Sequence, residues 1–521
     1  MAVDVDVIVI GSGFGGAVTS CRLAEHGYRV MVLERGRRWG VKDFPRRPDD
    51  PWLWDQQQPI AKNGWFDFRV FPHMTVVTGA GVGGGSLVYA NISVEAKPDT
   101  FDAGWPAEVT YAELKPHYDA VGAMMNVRAV PTNQWPERTR LLKDGATAVG
   151  YGDRFRQLDL AVTFDPKWTY DLPDPHSPLH SKPFVNDQGK EQGTCVHLGN
   201  CDIGCDVNAR NTLDLNYLAR AETKGADVRP LHLVRSITPQ ADGYCVTFDR
   251  IEGGALTADR ATARLVIVAA GSIGSTELLL RSRDLHKTLP NLSPCLGRRW
   301  SSNGDFLTPA FQPTRDVNPT RGPTITAAVD LLDGAFRNQR IFIEDGGLPD
   351  VAGNYLSTLT SGPADDPAKL ALIQFVRLML SKGPIDHLMP WFAQSRDAGD
   401  GVLSWSDSGL ALAWDASASA ATIDAVVEMH QQMSTKTGGV PLTPITWTVG
   451  RDLITPHPLG GCNMGTAADN GVVNHAGEAF GYRNLFVADG AIVPKALGLN
   501  PSRTIGALAE RVASIIISEG R

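Results

Sequence analysis

The stretch DVIVIGSGFGGAVTSCRLAEHGYRVMVLERG, Asp6 to Gly36, decides the fold. VIVI is a continuous β-branched run, the pattern of a strand buried on both faces of a parallel sheet. Gly11, Gly13 and Gly16 follow at G-x-G-x-x-G spacing, with Ser12 inside the turn. Gly11 permits the tight turn, Gly13 lets a pyrophosphate approach the backbone, and Gly16 lets helix and strand pack closely. Val18, Leu23 and Ala24 carry a helix to about His26, and Gly27 ends it. RVMVLE is the second strand. Glu34 closes it 23 residues after Gly11, where a carboxylate accepts both ribose hydroxyls and repels a 2′-phosphate. Strand, glycines, helix, strand and acid in register predict a βαβ nucleotide-binding unit. They do not separate FAD from NAD.

The bulk numbers set the frame. The chain has 521 residues, 43% hydrophobic and 20% charged, which is a globular composition long enough for two or more domains. A net charge of −8 argues against nucleic acid, whose phosphates want a basic face. The N-terminus enters a strand at once, without a basic leader, so a cytoplasmic protein is expected. No apolar run reaches the ~18 residues of a membrane span. Seven cysteines do not suggest a disulfide scaffold.

Further signals lie along the chain. TGAGVGGGSLVYANISVEA, Thr78 to Ala96, crowds five glycines between Gly79 and Gly85, which suits backbone lying against a flat or anionic ligand. CVHLGNCDIGCDVNARNTLDLNYLARAE, Cys195 to Glu222, places three cysteines and His197 at a spacing that matches no zinc pattern; no metal site is expected. DVRPLHLVRSI reads as a strand containing Val234. ARLVIVAAGSIGSTELLLRS, Ala263 to Ser282, returns the chain to the nucleotide sheet. NLFVADG adds a short strand ending at Asp489 and Gly490, and LNPSRT opens a last helix, with Asn500 as N-cap and Pro501 at N1. TPHPLGGCNMG, Thr455 to Gly465, holds His457 between Pro456 and Pro458, which stiffens the backbone around one imidazole.

These stretches, in this order, resemble the glucose–methanol–choline (GMC) flavoprotein oxidoreductases, and among them the bacterial cholesterol oxidases with non-covalent FAD. The resemblance rests on GSGFGGAVTSCRLAEHGYRVMVLERG, GVGGGSLVYANISVE, NARNTLDLNYL, AAGSIGSTELLL, HPLGGCNMG, VADGAIVP and LNPSRTIGALAER. It implies an α/β fold: a discontinuous Rossmann-like FAD-binding domain (residues 1–100, 195–304 and 451–521) and an α+β substrate domain with an antiparallel sheet (101–194 and 305–450). Gly11, Ser12, Gly13, Gly16 and Glu34 are then expected on the ADP half. Gly81, Gly83, Gly84, Gly85 and Ser86 are expected along the pyrophosphate and ribityl side. Asn91 and Ile92 are expected near the isoalloxazine, the Val234 backbone at adenine, and Asp489 and Gly490 at the ribityl–phosphate region. The helix after Asn500 would aim its positive end at the flavin edge that gains charge. Family members with covalent flavin carry a histidine after the second glycine cluster; GGGSLVYAN has none, so dissociable FAD is expected.

The resemblance also implies the chemistry. Flavins accept hydride at N5, and an alcohol releases hydride readily only as its O–H proton leaves. His457 is expected to take or bridge that proton, and Asn500 to hydrogen-bond the same oxygen. Glu344, Asp345 and Asp350 are candidates for moving a double bond after oxidation. QRIFIE, GVLSWSD and LALAWD are expected as strands of the substrate sheet, and KLALIQFVRLMLSK, Lys369 to Lys382, as an apolar helix. The aromatics of Pro51 to Phe68 suit an access loop and favour a bulky apolar alcohol such as a 3-hydroxysteroid, with O2 or another acceptor taking the electrons. Rival readings are a dehydrogenase of a non-steroid alcohol, a lyase on the same fold, and a non-catalytic flavin binder.

Overall fold

Val5–Ile10 is the centre of a seven-stranded sheet in the computed structural model, which describes residues 3–349, 385–444 and 446–521. It pairs in parallel with Val30–Leu33 on one side and with the end of Ala255–Val268 on the other. Asp227–Arg229 extends the sheet beyond Val30–Leu33, and Leu485–Val487 runs parallel to the end of Ala255–Val268. The first half of that long strand has a second role. It pairs antiparallel with Gly243–Glu252, which pairs with His232–Gln240.

The run VIVI is apolar at every position because both faces are covered. Val7 and Val9 pack towards the helices with Val18, Cys21, Val512 and Ile516. Ile8 and Ile10 point the other way, into a core with Leu33, Val234 and Phe248. Each fully buried side chain of this size stabilises the fold by roughly 1.5–3 kcal/mol. The helices Phe14–Glu25 and Ser502–Ser518 pack against each other on the first face, although they come from opposite ends of the chain.

A six-stranded sheet forms the second layer of the molecule. Its order is Val440–Pro441, Phe306–Phe311, Leu388–Ser395, Gln339–Asp345, Ala327–Phe336 and Phe155–Gln157, with antiparallel neighbours throughout. QRIFIE is therefore a strand of this sheet. GVLSWSD and LALAWD are strands too, but Val402–Ser406 and Gly409–Ala413 pair only with each other, as a hairpin. Residues 369–382 lie outside the described residues, as does Asp350. No helix among the described residues is long and apolar enough to cross a membrane.

Two further boundaries differ from expectation. DVRPLHLVRSI is two strands, not one. Pro230 has no N–H to offer a ladder and Leu231 takes a left-handed φ of 61°, so the chain breaks between Arg229 and His232. The last helix begins at Ser502 with Pro501 as its N-cap residue. Asn500 therefore stands before the helix rather than capping it, and its amide is free for another partner.

Arg138 ties the second layer together. It is buried in helix Glu137–Ala148 and donates to five main-chain carbonyls: those of Arg321, Pro323, Thr324, Asp345 and Gly346. Burial pulls its pKa below the ordinary arginine value, and the Asp345 carboxylate offsets part of that.

Candidate active site

A cavity of about 990 Å3 runs between the two layers. At one end it is bounded by the first glycine turn. Gly11, Ser12 and Gly13 line it, and Gly11 sits at φ 97°, a conformation that costs glycine little. Gly84 and Gly85 line it from the second glycine loop. The two loops touch: a Cβ on Gly84 would fall 2.6 Å from the Gly13 Cα. Gly16 faces the strand instead, where a Cβ would meet the Gly11 carbonyl oxygen at 2.0 Å. Gly81, Gly83 and Ser86 do not line the cavity. They shape the loop, through Ser12 Oγ accepting from Gly83 N–H at 3.1 Å and Ser86 Oγ accepting from Leu213 N–H at 3.0 Å.

Glu34 lines the same end. Its Oε2 accepts from Ser12 N–H at 3.1 Å and Ser12 Oγ–H at 2.7 Å, and its Oε1 accepts from Gly36 N–H at 2.9 Å. Burial raises its pKa, and those donors pull it back. A carboxylate has about four acceptor sites, so Glu34 keeps capacity for one more donor. Val234 lines the cavity beside His232 and Leu233, at a register shift in its strand. Asp489 and Gly490 line it further along. Asp489 accepts from Gly271 N–H at 2.8 Å, Ser275 Oγ–H at 2.5 Å and Ala491 N–H at 2.8 Å, joining two turns. Ile92 lines the cavity. Asn91 does not: its φ is 65° and its Oδ1 turns away to accept from Arg210 Nε at 2.8 Å.

The segment Pro51–Phe68 closes over the Glu34 end. Gln56, Phe66 and Phe68 line the cavity, and Gln56 Nε2 donates to Glu277 across it at 2.7 Å. Trp54 and Trp65 do not wall a substrate space. They are buried in small clusters of their own, with Leu233 and Trp39 respectively.

His457 and Asn500 line the opposite end of the cavity. Ile325, Leu307, Phe392, Leu348, Pro349 and Ile454 make its walls there apolar. Sequence reading missed the partner of His457. Its Nδ1 lies 2.9 Å and 3.1 Å from the two carboxylate oxygens of Asp305, which is buried. Thr455 Oγ stands 2.6 Å from Asp305 Oδ2 and accepts the His457 N–H at 2.9 Å. A carboxylate cannot donate, so Nδ1 carries a proton, and in the neutral ring Nε2 is the acceptor. No hydrogen bond occupies Nε2 among the described residues.

The same loop that brings Asp305 also sets Asn500. Asn303, at φ 57°, donates from Nδ2 to Leu499 O at 2.9 Å and accepts from Leu497 and Gly498 N–H at 3.0 and 2.9 Å. Two residues apart, Asn303 clamps the approach to Asn500 and Asp305 clamps His457. Of the carboxylates considered for a double-bond shift, Glu344 is on the cavity-facing side of the six-stranded sheet with the Asn500 amide against it. Asp345 points away and is spent on structure, accepting from Thr139, Thr326 and Ala327.

Elsewhere, Cys195, Cys201 and Cys205 are free thiols whose pKa values burial raises. His197 stacks on Trp168 with centroids 4.1 Å apart, and burial pushes it down to about 3.

Comparison with known proteins gives the family. Residues 181–303 and 409–509 match the GMC oxidoreductase family, and residues 9–51 match an NAD(P)-binding Rossmann-like domain. The chain is similar to a cholesterol oxidase of Acinetobacter baumannii, 31% identical over 98% of this chain and 94% of that one. It is likewise similar to a cholesterol oxidase of Mycobacterium tuberculosis, 32% identical over 100% and 92% of the two chains. The crystal structure of pyridoxine 4-oxidase from Mesorbium loti superposes with a TM-score of 0.61 at 15% identity, covering 98% of this chain and 99% of the other. With a glycine-lined nucleotide end and a His–Asp pair at the far end of one cavity, the chain belongs to the GMC oxidoreductase family and is a flavin-dependent alcohol oxidoreductase.

Proposed function

We propose that the protein binds FAD without a covalent link and oxidises a bulky apolar alcohol, of the 3-hydroxysteroid type, to its carbonyl. The observation that carries this reading is the Asp305–His457 pair, facing an apolar pocket end that is continuous with the nucleotide end. Residues 1–100, 195–304 and 451–521 hold the cofactor in this proposal, and 101–194 with 305–450 hold the substrate. Support for FAD at the nucleotide end comes from the contact of the two glycine loops, which leaves no room for a side chain on Gly84, and from the acceptor capacity left on Glu34. The bound flavin supplies a hydride acceptor. His457 Nε2 takes the hydroxyl proton as the carbon loses hydride, and the imidazolium that forms is stabilised by Asp305. Proton and hydride together account for the two hydrogens lost from the alcohol. Asn500 hydrogen-bonds the same oxygen, and the apolar walls exclude water and seat the ring system. The two cholesterol oxidases among the relatives support the sterol class.

The test is anaerobic bleaching of the yellow holoenzyme with sterols, aryl alcohols and sugars. Fastest reduction by sterols is expected; bleaching by sugars alone, or by none, defeats the substrate reading. Reoxidation of the reduced protein by air then separates an oxidase from a dehydrogenase with another acceptor.

Asp305 carries its own prediction. Asp305→Asn keeps the shape but removes the charge, and lets an amide N–H face Nδ1, which favours the other tautomer. Flavin reduction by the best alcohol is expected to slow by about a hundredfold, the low end of one general-base contribution. An unchanged stopped-flow rate would show that Asp305 is not the partner that matters.

A further inference from the structure

Glu344 is a buried acid without a counter-charge. It sits in register with Phe392 on the sheet face that borders the cavity, and its relative exposure is 0%. Neither carboxyl oxygen has a hydrogen-bond partner among the described residues. Burial, then the charges of Asp345 and Asp305, raise its pKa well above the ordinary carboxyl value; the amides of Asn500 and Gln394 lie against it and pull the other way. An uncompensated carboxylate is strongly disfavoured in such a place, which favours the protonated form.

Its neighbours share the deficit. Asn500 Oδ1 is buried and receives no donor, and both amide atoms of Gln394 are unpartnered among the described residues. Buried orphans are rare in folded proteins. Five of them lie on three adjoining side chains, and a carboxyl proton on Glu344 together with a Gln394 N–H pairs four of the five. The two ends of an amide exchange by a half-turn, so hydrogen-bond polarity decides which end faces where.

We infer that Glu344 is a positioning residue: its O–H donates to Asn500 Oδ1, Gln394 Nε2 donates to the other Glu344 oxygen, and the Asn500 N–H2 is thereby turned to the reacting oxygen. This rests on the role given to Asn500 under Proposed function. Of these five atoms only Gln394 Oε1 is then left without a partner. An ionised Glu344 would draw the Asn500 N–H2 to itself and present Oδ1, an acceptor, to an oxygen that is gaining negative charge.

Two variants of the holoenzyme separate positioning from proton transfer. Glu344→Gln keeps an N–H that can serve Asn500 Oδ1; Glu344→Leu keeps none. Anaerobic flavin reduction is expected to fall roughly tenfold to a hundredfold in Glu344→Leu at little-changed substrate affinity, and to return within a few-fold of wild type in Glu344→Gln. Glu344→Gln as slow as Glu344→Leu, or Glu344→Leu as fast as wild type, overturns the inference. A second arm needs neither substrate nor the leucine variant. The infrared spectrum of resting wild type should carry the carbonyl stretch of a protonated carboxyl that Glu344→Gln lacks, and its absence overturns the inference. If no alcohol reduces wild type, the function proposed above fails, while the infrared arm still decides the protonation of Glu344.

Discussion

Replacing His457 with alanine is expected to slow flavin reduction by about 10²–10⁴-fold, the contribution of a positioned general base. Loss of the ring removes the only group among the described residues with a fixed acceptor nitrogen at the Asn500 end of the cavity. Flavin content should stay near wild type, because the imidazole touches Asp305 and Phe392 and not the glycine loops. The informative comparison is the double variant with Asp305→Asn. If Asp305 acts through His457, the second substitution adds little to the first, and the two effects are far from additive. Stopped-flow reduction with a saturating alcohol measures all three variants. A His457→Ala protein within tenfold of wild type would remove His457 from the chemistry.

Arg138→Leu should give the largest loss of stability. Five carbonyls accept from this guanidinium, and leucine leaves all five buried without it. A buried acceptor without a donor costs about 1–3 kcal/mol. Relaxation and water entry recover part of the sum, so a net loss on the order of 3–5 kcal/mol is expected. Substrate affinity should weaken too, since Thr324 and Gly346, which accept two of these bonds, line the cavity beside Ile325 and Gly347. The midpoint of flavin release on heating reports the first effect, and the substrate dependence of flavin reduction reports the second. An unchanged release midpoint would show that the carbonyls find other donors.

The turn of the first strand into its helix was legible in the sequence because its signals are local. Gly11, Gly13, Gly16 and Glu34 lie within one βαβ unit, where spacing alone sets their relation. His457 and Asn500 announced themselves through stiff or helix-opening neighbours and through the family resemblance. Asp305 and Asn303 did not. They lie in SSNGDF, which reads as an ordinary turn, and their partners are some 150 to 200 residues downstream. Glu344 and Asp345 were indistinguishable in IED, since neighbours on a strand point to opposite faces and only the sheet's placement says which face borders the cavity. The N-cap assignment failed by one residue at Asn500, and that shift is what frees its amide.

The sheet around Val5–Ile10 has a consequence for synthesis. One edge of this strand is covered only when Ala263–Val268 arrives, and Leu485–Val487 is later still. At roughly 5–20 residues per second, the first of these waits lasts on the order of tens of seconds on the ribosome. Throughout it, the nascent chain presents an apolar, unpaired β-edge, the kind of surface that recruits chaperones or aggregates. Asp489, Gly490, Pro501 and Ser502 line the cavity, so its wall is incomplete until Leu485–Val487 and the helix after it have been made. A chain that stops before Leu485 would leave the ribosome with that wall missing.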